Sequence, residues 1–207
     1  MPAALPTRTF GVLSGSGTER SRGRSEGSDP VLALNQQNAL LLLKGSIDAT
    51  NKLDWSTAVP TCQWTGITCN AAGEVTAINV PNMGLTGQLP LDADLWQQLS
   101  TVTNLNLSNN NISGYVPQQM AALSNVQYIS LAGNSFSGPL PSSWSSMHNL
   151  VGLDLSNNAI SGTLPSAWSN MSALKELDLS HNSLSGTVPA SWNALSLNGL
   201  SLAANSA

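Results

Sequence analysis

Charge is scarce in this chain. Only 9% of its 207 residues are Asp, Glu, Lys or Arg, well under the share usual in soluble globular domains. That argues against a surface of salt-bridged helices. Asn, Ser, Gly and Leu take the place of charge, which points to turns and backbone ladders. Basic charge is scarcest in the body of the chain. Arg8, Arg20, Arg22 and Arg24 are four of the seven Lys/Arg, and from residue 30 onward Lys44, Lys52 and Lys175 face eight acidic residues, a balance of −5. No basic face is left for a phosphate backbone, so no nucleic-acid partner is expected. Residues 1–30, rich in Arg, Gly and Ser, read as a solvated disordered tail or a contact for an anionic partner.

Long apolar runs are also missing. Val31–Leu34 and Ala39–Leu43 fall far short of the ~20 residues of a membrane-spanning helix, and Met1–Ser14 holds no continuous apolar core of a secretion signal. Membrane association is expected only through missing C-terminal sequence or an anchor. There are two cysteines, Cys62 and Cys69, and their spacing does not suit a zinc site. They can close one local disulfide or stand as two free thiols. The two histidines, His148 and His181, occupy different repeat positions. Asp178, Ser180 and His181 hold the residue types of a hydrolase triad. They sit on one short strand and its exit, with nothing to supply an oxyanion hole. SGSGT at Ser14–Thr18 lacks the Lys of a phosphate loop. No catalysis, cofactor or metal is expected.

What the chain does have is a repeat. VTNLNLSNNNISGYVP from Val102, VQYISLAGNSFSGPLP from Val126, LVGLDLSNNAISGTLP from Leu150 and LKELDLSHNSLSGTVP from Leu174 start 24 residues apart. An earlier copy starts at Val75 and a partial one at Leu197. Within a copy, the fourth and sixth positions (Ile129 and Leu131) alternate around one outward residue, the period of a strand. The ninth position is Asn110, Asn134, Asn158, Asn182 and Asn205. An inward amide at a fixed place in every coil can bond the backbone of its own and neighbouring turns, so these five are expected to form an asparagine ladder. An apolar-Ser-Gly step follows, with Gly marking positive φ or close backbone approach. Then Val116, Leu140, Leu164 and Val188 return inward, and Pro117, Pro141, Pro165 and Pro189 stop the strand. Met120, Trp144, Trp168 and Trp192 recur at an inward place on the return path. Trp96 adds to the same set, and that periodicity marks core rather than a sugar-stacking platform. No coil can hide its apolar face alone, so the copies must stack.

A stack needs ends. Asn35–Ile47 reads as an amphipathic helix with Ala39, Leu40, Leu43 and Ile47 inward, followed by LDW and CQWTGITC, and makes an N-terminal cap over residues 31–74. Residues 75–207 hold about five complete repeats and a truncated sixth. The far end is bare, with Leu197, Leu200 and Leu202 on an open edge, and the chain is expected to be a fragment of a longer protein.

LxxLxLxxNxLSGxxP at this spacing resembles the plant-type extracellular leucine-rich repeat. Leu150, Leu153, Leu155, Asn158, Ile160, Gly162 and Pro165 match it position by position. ALLLLK, LDW and CQWTGITC resemble that class's N-terminal cap, which implies its Cys62–Cys69 disulfide. The resemblance implies an α/β leucine-rich-repeat solenoid: parallel strands on the concave face, short 3₁₀ or irregular segments on the convex face, and a helical cap. LPSSWSSM and LPSAWSNM resemble the repeats of trypanosomatid promastigote surface antigens and proteophosphoglycans, which implies a surface or secreted protein.

The concave strand face is the expected binding site for a protein, peptide or glycan. Its outward column is Asn79, Asn106, Ser130, Asp154, Asp178 and Ser201, flanked by Thr103, Asn104, Gln127, Tyr128, Lys175, Glu176 and His181, with Tyr128 the one aromatic anchor. Sequons at Asn106, Asn111 and Asn170 offer glycan acceptors, Asn170 the most favourable. The leading expectation is a non-catalytic, surface-antigen-like interaction protein at the cell surface or secreted. The ectodomain piece of a leucine-rich-repeat receptor kinase is the alternative, and a structural coat protein without a specific ligand the further one.

Overall fold

The computed structural model describes residues 30–205, with side chains from residue 35. The expected tail and its arginines lie outside the described residues. The first helix, α1 (Pro30–Ile47), starts five residues before Asn35, and a proline suits the first helical position because its missing N–H would be unpaired there anyway. Ala39, Leu40, Leu43 and Ile47 are buried. The side chain of Gln36 ties the helix to the first coil: its Oε1 accepts from the Val75 amide and its Nε2 donates to Thr101 Oγ1. At the other end of the helix Asp48 bridges to Thr86. The helix therefore crosses the end of the solenoid from one sheet to the other, covering core that would otherwise meet water.

Two sheets form the solenoid. The concave one contains β1 (Ile67–Cys69), β2 (Val75–Asn79), β4 (Asn104–Asn106), β6 (Tyr128–Ser130), β8 (Gly152–Asp154), β10 (Glu176–Asp178) and β12 (Gly199–Ser201), in that order. Only β1 is antiparallel, a short strand of the cap. The rest run parallel, with Leu105, Ile129, Leu153, Leu177 and Leu200 in register. A second parallel sheet, ordered from β11 back to β3, contains β3 (Thr86–Gln88), β5 (Asn111–Tyr115), β7 (Ser135–Pro139), β9 (Ala159–Thr163) and β11 (Ser183–Ser185). These segments, for which the apolar-Ser-Gly step gave no strand expectation, are strands. β5, β7, β9 and β11 each bury one apolar residue, such as Phe136, and β3 buries none, so there is no alternation to read.

Gly138 in β7 has φ +73°, and the Tyr115 ring of the preceding strand fills the place its Cβ would take, with Cδ1 and Cε1 both within contact. Gly is thus required twice at that position, by backbone conformation and by packing.

On the return path, α2 (Ala93–Gln98) is N-capped by Asp92, and later coils use 3₁₀ turns at Gln118–Ala122, Ser142–Ser146, Ser166–Asn170 and Ala190–Ala194. The tryptophans of these turns are buried and stacked. Ring centroids of Trp144 and Trp168 lie 6.5 Å apart, and those of Trp168 and Trp192 6.1 Å. Each indole N–H donates to the Pro carbonyl of the coil before: Trp144 to Pro117, Trp168 to Pro141 and Trp192 to Pro165. The proline thus stands at the N-cap of the 3₁₀ turn, two residues past the strand end, and its carbonyl accepts the indole bond.

Val188 corrects the expected inward set. Val116, Leu140 and Leu164 are buried, but Val188 is 45% exposed, because no further coil packs on it among the described residues. Leu200 is exposed for the same reason, whereas Leu197 and Leu202 are half-buried against the core.

Candidate functional site on the concave sheet

Strand geometry builds the site. In β4, β6, β8 and β10 the central residue points into the core, so the residues on either side of it point out, and parallel register aligns them in rows whose successive members lie about 4.8 Å apart. One row is Asn104, Tyr128, Gly152, Glu176 and Gly199; the other is Asn79, Asn106, Ser130, Asp154, Asp178 and Ser201. Asn104, Asn106, Tyr128, Ser130, Asp154, Glu176 and Asp178 line one open groove of about 660 Å³, together with Gly152, Asn198, Gly199 and Ser201. Thr103 and Gln127 line a neighbouring depression of about 350 Å³ at the entry edge of the strands, with Asn70, Glu74, Thr101, Asn125 and Asn149. Asn79, Lys175 and His181 line neither. Asn79 Oδ1 accepts from Asn106 Nδ2 at 2.9 Å. His181 stands past the strand at φ +54°.

Half of each carboxylate in the second row is spent on the fold. Asp154 Oδ1 accepts from the Ser156 amide, and Asp178 Oδ1 from the Ser180 amide and hydroxyl. Asn106 Oδ1 accepts from Ser108 in the same way. These turns close the strand ends. The Ser180 hydroxyl thus donates directly to Asp178, which leaves no relay through an imidazole.

Tyr128 is the aromatic surface of the groove. Its ring lies across Gly152 of the next coil, where a Cβ would meet Cδ1 at 2.9 Å, and it keeps 46% of its surface exposed. Gly152 therefore sets the ring's posture. Sequence reading passed over it because a lone Gly in a strand carries no pairing signal. The entry-edge residues Asn125 and Asn149 were also missed. They recur at one repeat position, 24 residues apart, and each donates to the carbonyl of the coil before, Ser100 and Ser124.

Behind the groove stands the asparagine ladder. Asn158 Oδ1 accepts from the Phe136 amide, while its Nδ2 reaches the carbonyls of Leu131, Leu155 and Ser156. Asn110, Asn134, Asn182 and Asn205 repeat the arrangement. In the cap, Cys62 and Cys69 are joined in a disulfide. Asp54 holds Thr65 through both oxygens, and these bonds to the Thr65 backbone amide and then its hydroxyl keep its carboxyl below the ordinary value of 3.8. Asn111 and Asn170 are exposed, and Asn106 is half-buried in the groove. Among the described residues no group of three or more His, Cys, Asp or Glu is placed to hold a metal ion. No helix there is long and apolar enough to cross a membrane.

The family models agree with this architecture. The leucine rich repeat N-terminal domain matches residues 33–70, and leucine rich repeat models match 101–123, 125–147 and 140–206. The chain is a leucine-rich-repeat solenoid with the family's N-terminal domain. Receptor-like protein 3 of Arabidopsis thaliana is 32% identical over 93 residues, 44% of this chain and 12% of that protein. The ectodomain of the Arabidopsis thaliana receptor kinase GASSHO1/SCHENGEN3, solved with CASPARIAN STRIP INTEGRITY FACTOR 2, superposes with a TM-score of 0.76 at 25% identity, covering 82% of this chain and 21% of that one. The ectodomain of the Arabidopsis receptor kinase HAESA, solved with an IDA peptide hormone ligand, gives a TM-score of 0.65 at 26% identity over 84% of this chain and 34% of that one. The aligned segments span only 8–15% of the curated relatives' lengths.

Proposed function

We propose that this chain is a ligand-binding segment of a receptor-like ectodomain that holds a peptide or protein partner in its concave groove. The observation that carries the reading is the Tyr128 ring laid across Gly152 and exposed inside a groove whose polar lining is amides, hydroxyls and carboxylates, over a floor that includes Leu105, Ile129, Leu153 and Leu177. An aromatic anchor with polar groups around it is the usual anatomy of an interaction hot spot. Likeness to receptor-like proteins, and to an ectodomain solved with a peptide hormone, favours the receptor reading over the surface-antigen one. In that reading the chain is non-catalytic and stands at the cell surface, which the Cys62–Cys69 disulfide and the exposed sequon at Asn170 also support. Its domains are the cap at 31–74 and the repeats from 75.

The test is a selection of peptides from a random display library on the purified chain. Peptides that bind are expected to lose roughly tenfold or more in affinity on Tyr128→Ala, as for an aromatic hot spot, to weaken also on Asp154→Ala, and to keep full affinity on Tyr115→Ala on the second sheet. Unchanged binding to both concave-face variants would overturn the assignment of the site.

A further inference from the structure

The groove is acidic, and the chain's own arginines are gathered in one segment close enough to reach it. Asp154, Glu176 and Asp178 line the groove, and no Lys or Arg lines it. Asp154 and Asp178 face each other in register on adjacent strands, where like charges directly opposed are unfavourable. Each spends Oδ1 on a serine, and Oδ2 remains to meet a cation. Beside them the outer face of Tyr128 is open to a guanidinium, which stacks on aromatic rings.

Helix α1 starts on the side of the groove. Gln36 is bonded to Val75 at the entry of β2 and to Thr101, whereas the helix ends at the second sheet. The described start of α1 therefore lies on the entry side of the concave sheet. Thr101 itself lines the polar depression there, with Glu74, Thr103 and Gln127, and Thr103 and Gln127 directly precede Asn104 and Tyr128 of the groove. Arg20, Arg22 and Arg24 lie six to ten residues before Pro30, roughly 20–34 Å of extended chain. The four strand steps from β2 to β10 span about 19 Å. Glu19, Glu26 and Asp29 dilute the charge of residues 1–29, but the run Arg20–Arg24 contains none of them.

We infer that residues 20–24 of this chain dock in cis in its own concave groove, with the arginines on Asp154, Asp178, Glu176 and the face of Tyr128, and so compete with the external partner. This rests on the groove being the ligand site. A partner with a basic segment would displace the arginine run, which makes the N-terminal segment a built-in competitor.

The full chain, ¹⁵N-labelled and carrying a nitroxide at Ser21→Cys, tests this by NMR. At low ionic strength the amide signals of Tyr128, Gly152, Asp154 and Glu176 are expected to fall about twofold or more, and to recover in high salt as screening shortens the reach of the charges. They are also expected to recover in Asp154→Asn/Asp178→Asn. Groove signals that stay at full intensity, or losses that persist in salt and in the double variant, overturn the inference. So does broadening in a mixture of spin-labelled unenriched chain with ¹⁵N chain, which would place the contact between molecules. Peptides selected on the chain test the groove separately. If they depend on Tyr128 while the nitroxide leaves the groove untouched, only the docking of the N-terminal segment fails.

Discussion

Single residues carry obligations that can be removed one at a time. Asn158 satisfies one backbone amide and three carbonyls in the half-buried interior of its turn. Asn158→Ala leaves the Phe136 amide unpaired and removes one of two donors from the carbonyls of Leu131, Leu155 and Ser156, which keep Asn134, Asn182 and the Gly133 amide. An unpaired buried group costs about 1–3 kcal/mol, and the three lost bonds add to it. We expect urea denaturation to show a loss on the order of 2–4 kcal/mol; a loss within error of zero would mean that water replaces the amide. Asp54 titrates with the fold. Its carboxyl is held below 3.8 by Thr65, so the stability it adds is present above that pH and is lost as pH falls through the lower, folded value. Asp54→Asn should remove that part of the acid sensitivity and lower stability at neutral pH. An unchanged acid limb in a melting series would contradict this. Among the sequons, glycan is expected on Asn170 and not on Asn106, whose Nδ2 is bonded to Asn79 in the groove. Mass-spectrometric peptide mapping of secreted protein reads both.

At the scale of the element, the tryptophan column and the glycine column fix how coils stack. Trp168 lies between Trp144 and Trp192 and donates to Pro141. Trp168→Leu removes volume, two ring contacts and a donor, leaving the Pro141 carbonyl only the Trp144 amide. The expected cost is roughly 2–4 kcal/mol by chemical denaturation, and a cost below that of an exposed-site change would deny the column its structural role. Gly138→Ala collides with Tyr115 and sets Ala at φ +73°. Pairing it with Tyr115→Ala should restore the steric part and keep about 1 kcal/mol of backbone cost. Strict additivity of the two changes in a double-mutant cycle would mean that the ring does not meet the new methyl.

Over the whole molecule, each coil touches only its neighbours, so stability is a sum along the axis and the ends open first. The disulfide closes a short loop in the cap, worth about 2–3 kcal/mol in the chain-entropy model. Reduction is expected to speed amide exchange in α1 and β1 well before β6, β8 and β10. Simultaneous loss of protection throughout would mean that the solenoid unfolds as one unit. At the other end Val188 and Leu200 are exposed, and charged substitutions there should reduce self-association with little change in melting.

Most of the solenoid was legible in the residues, because a 24-residue period repeats the same physical demands. Alternating apolar positions dictate the concave strands, the ninth-position Asn dictates the ladder, and the periodic Trp marks core. Cap helix residues such as Leu40 and Leu43 announce their buried face by spacing alone. The second sheet was not legible, since at most one buried apolar residue per strand gives no alternation, and parallel pairing with neighbouring coils supplies what local propensity does not. Val188 matches its counterparts in sequence and differs in having no coil above it among the described residues. The site was legible as a column of outward residues, but not as a groove. Which of them share it depends on register across strands 24 residues apart, on Gly152 letting Tyr128 lie flat, and on the side from which α1 enters. Periodicity is a property of the chain, but enclosure and neighbourhood arise only when distant coils stack.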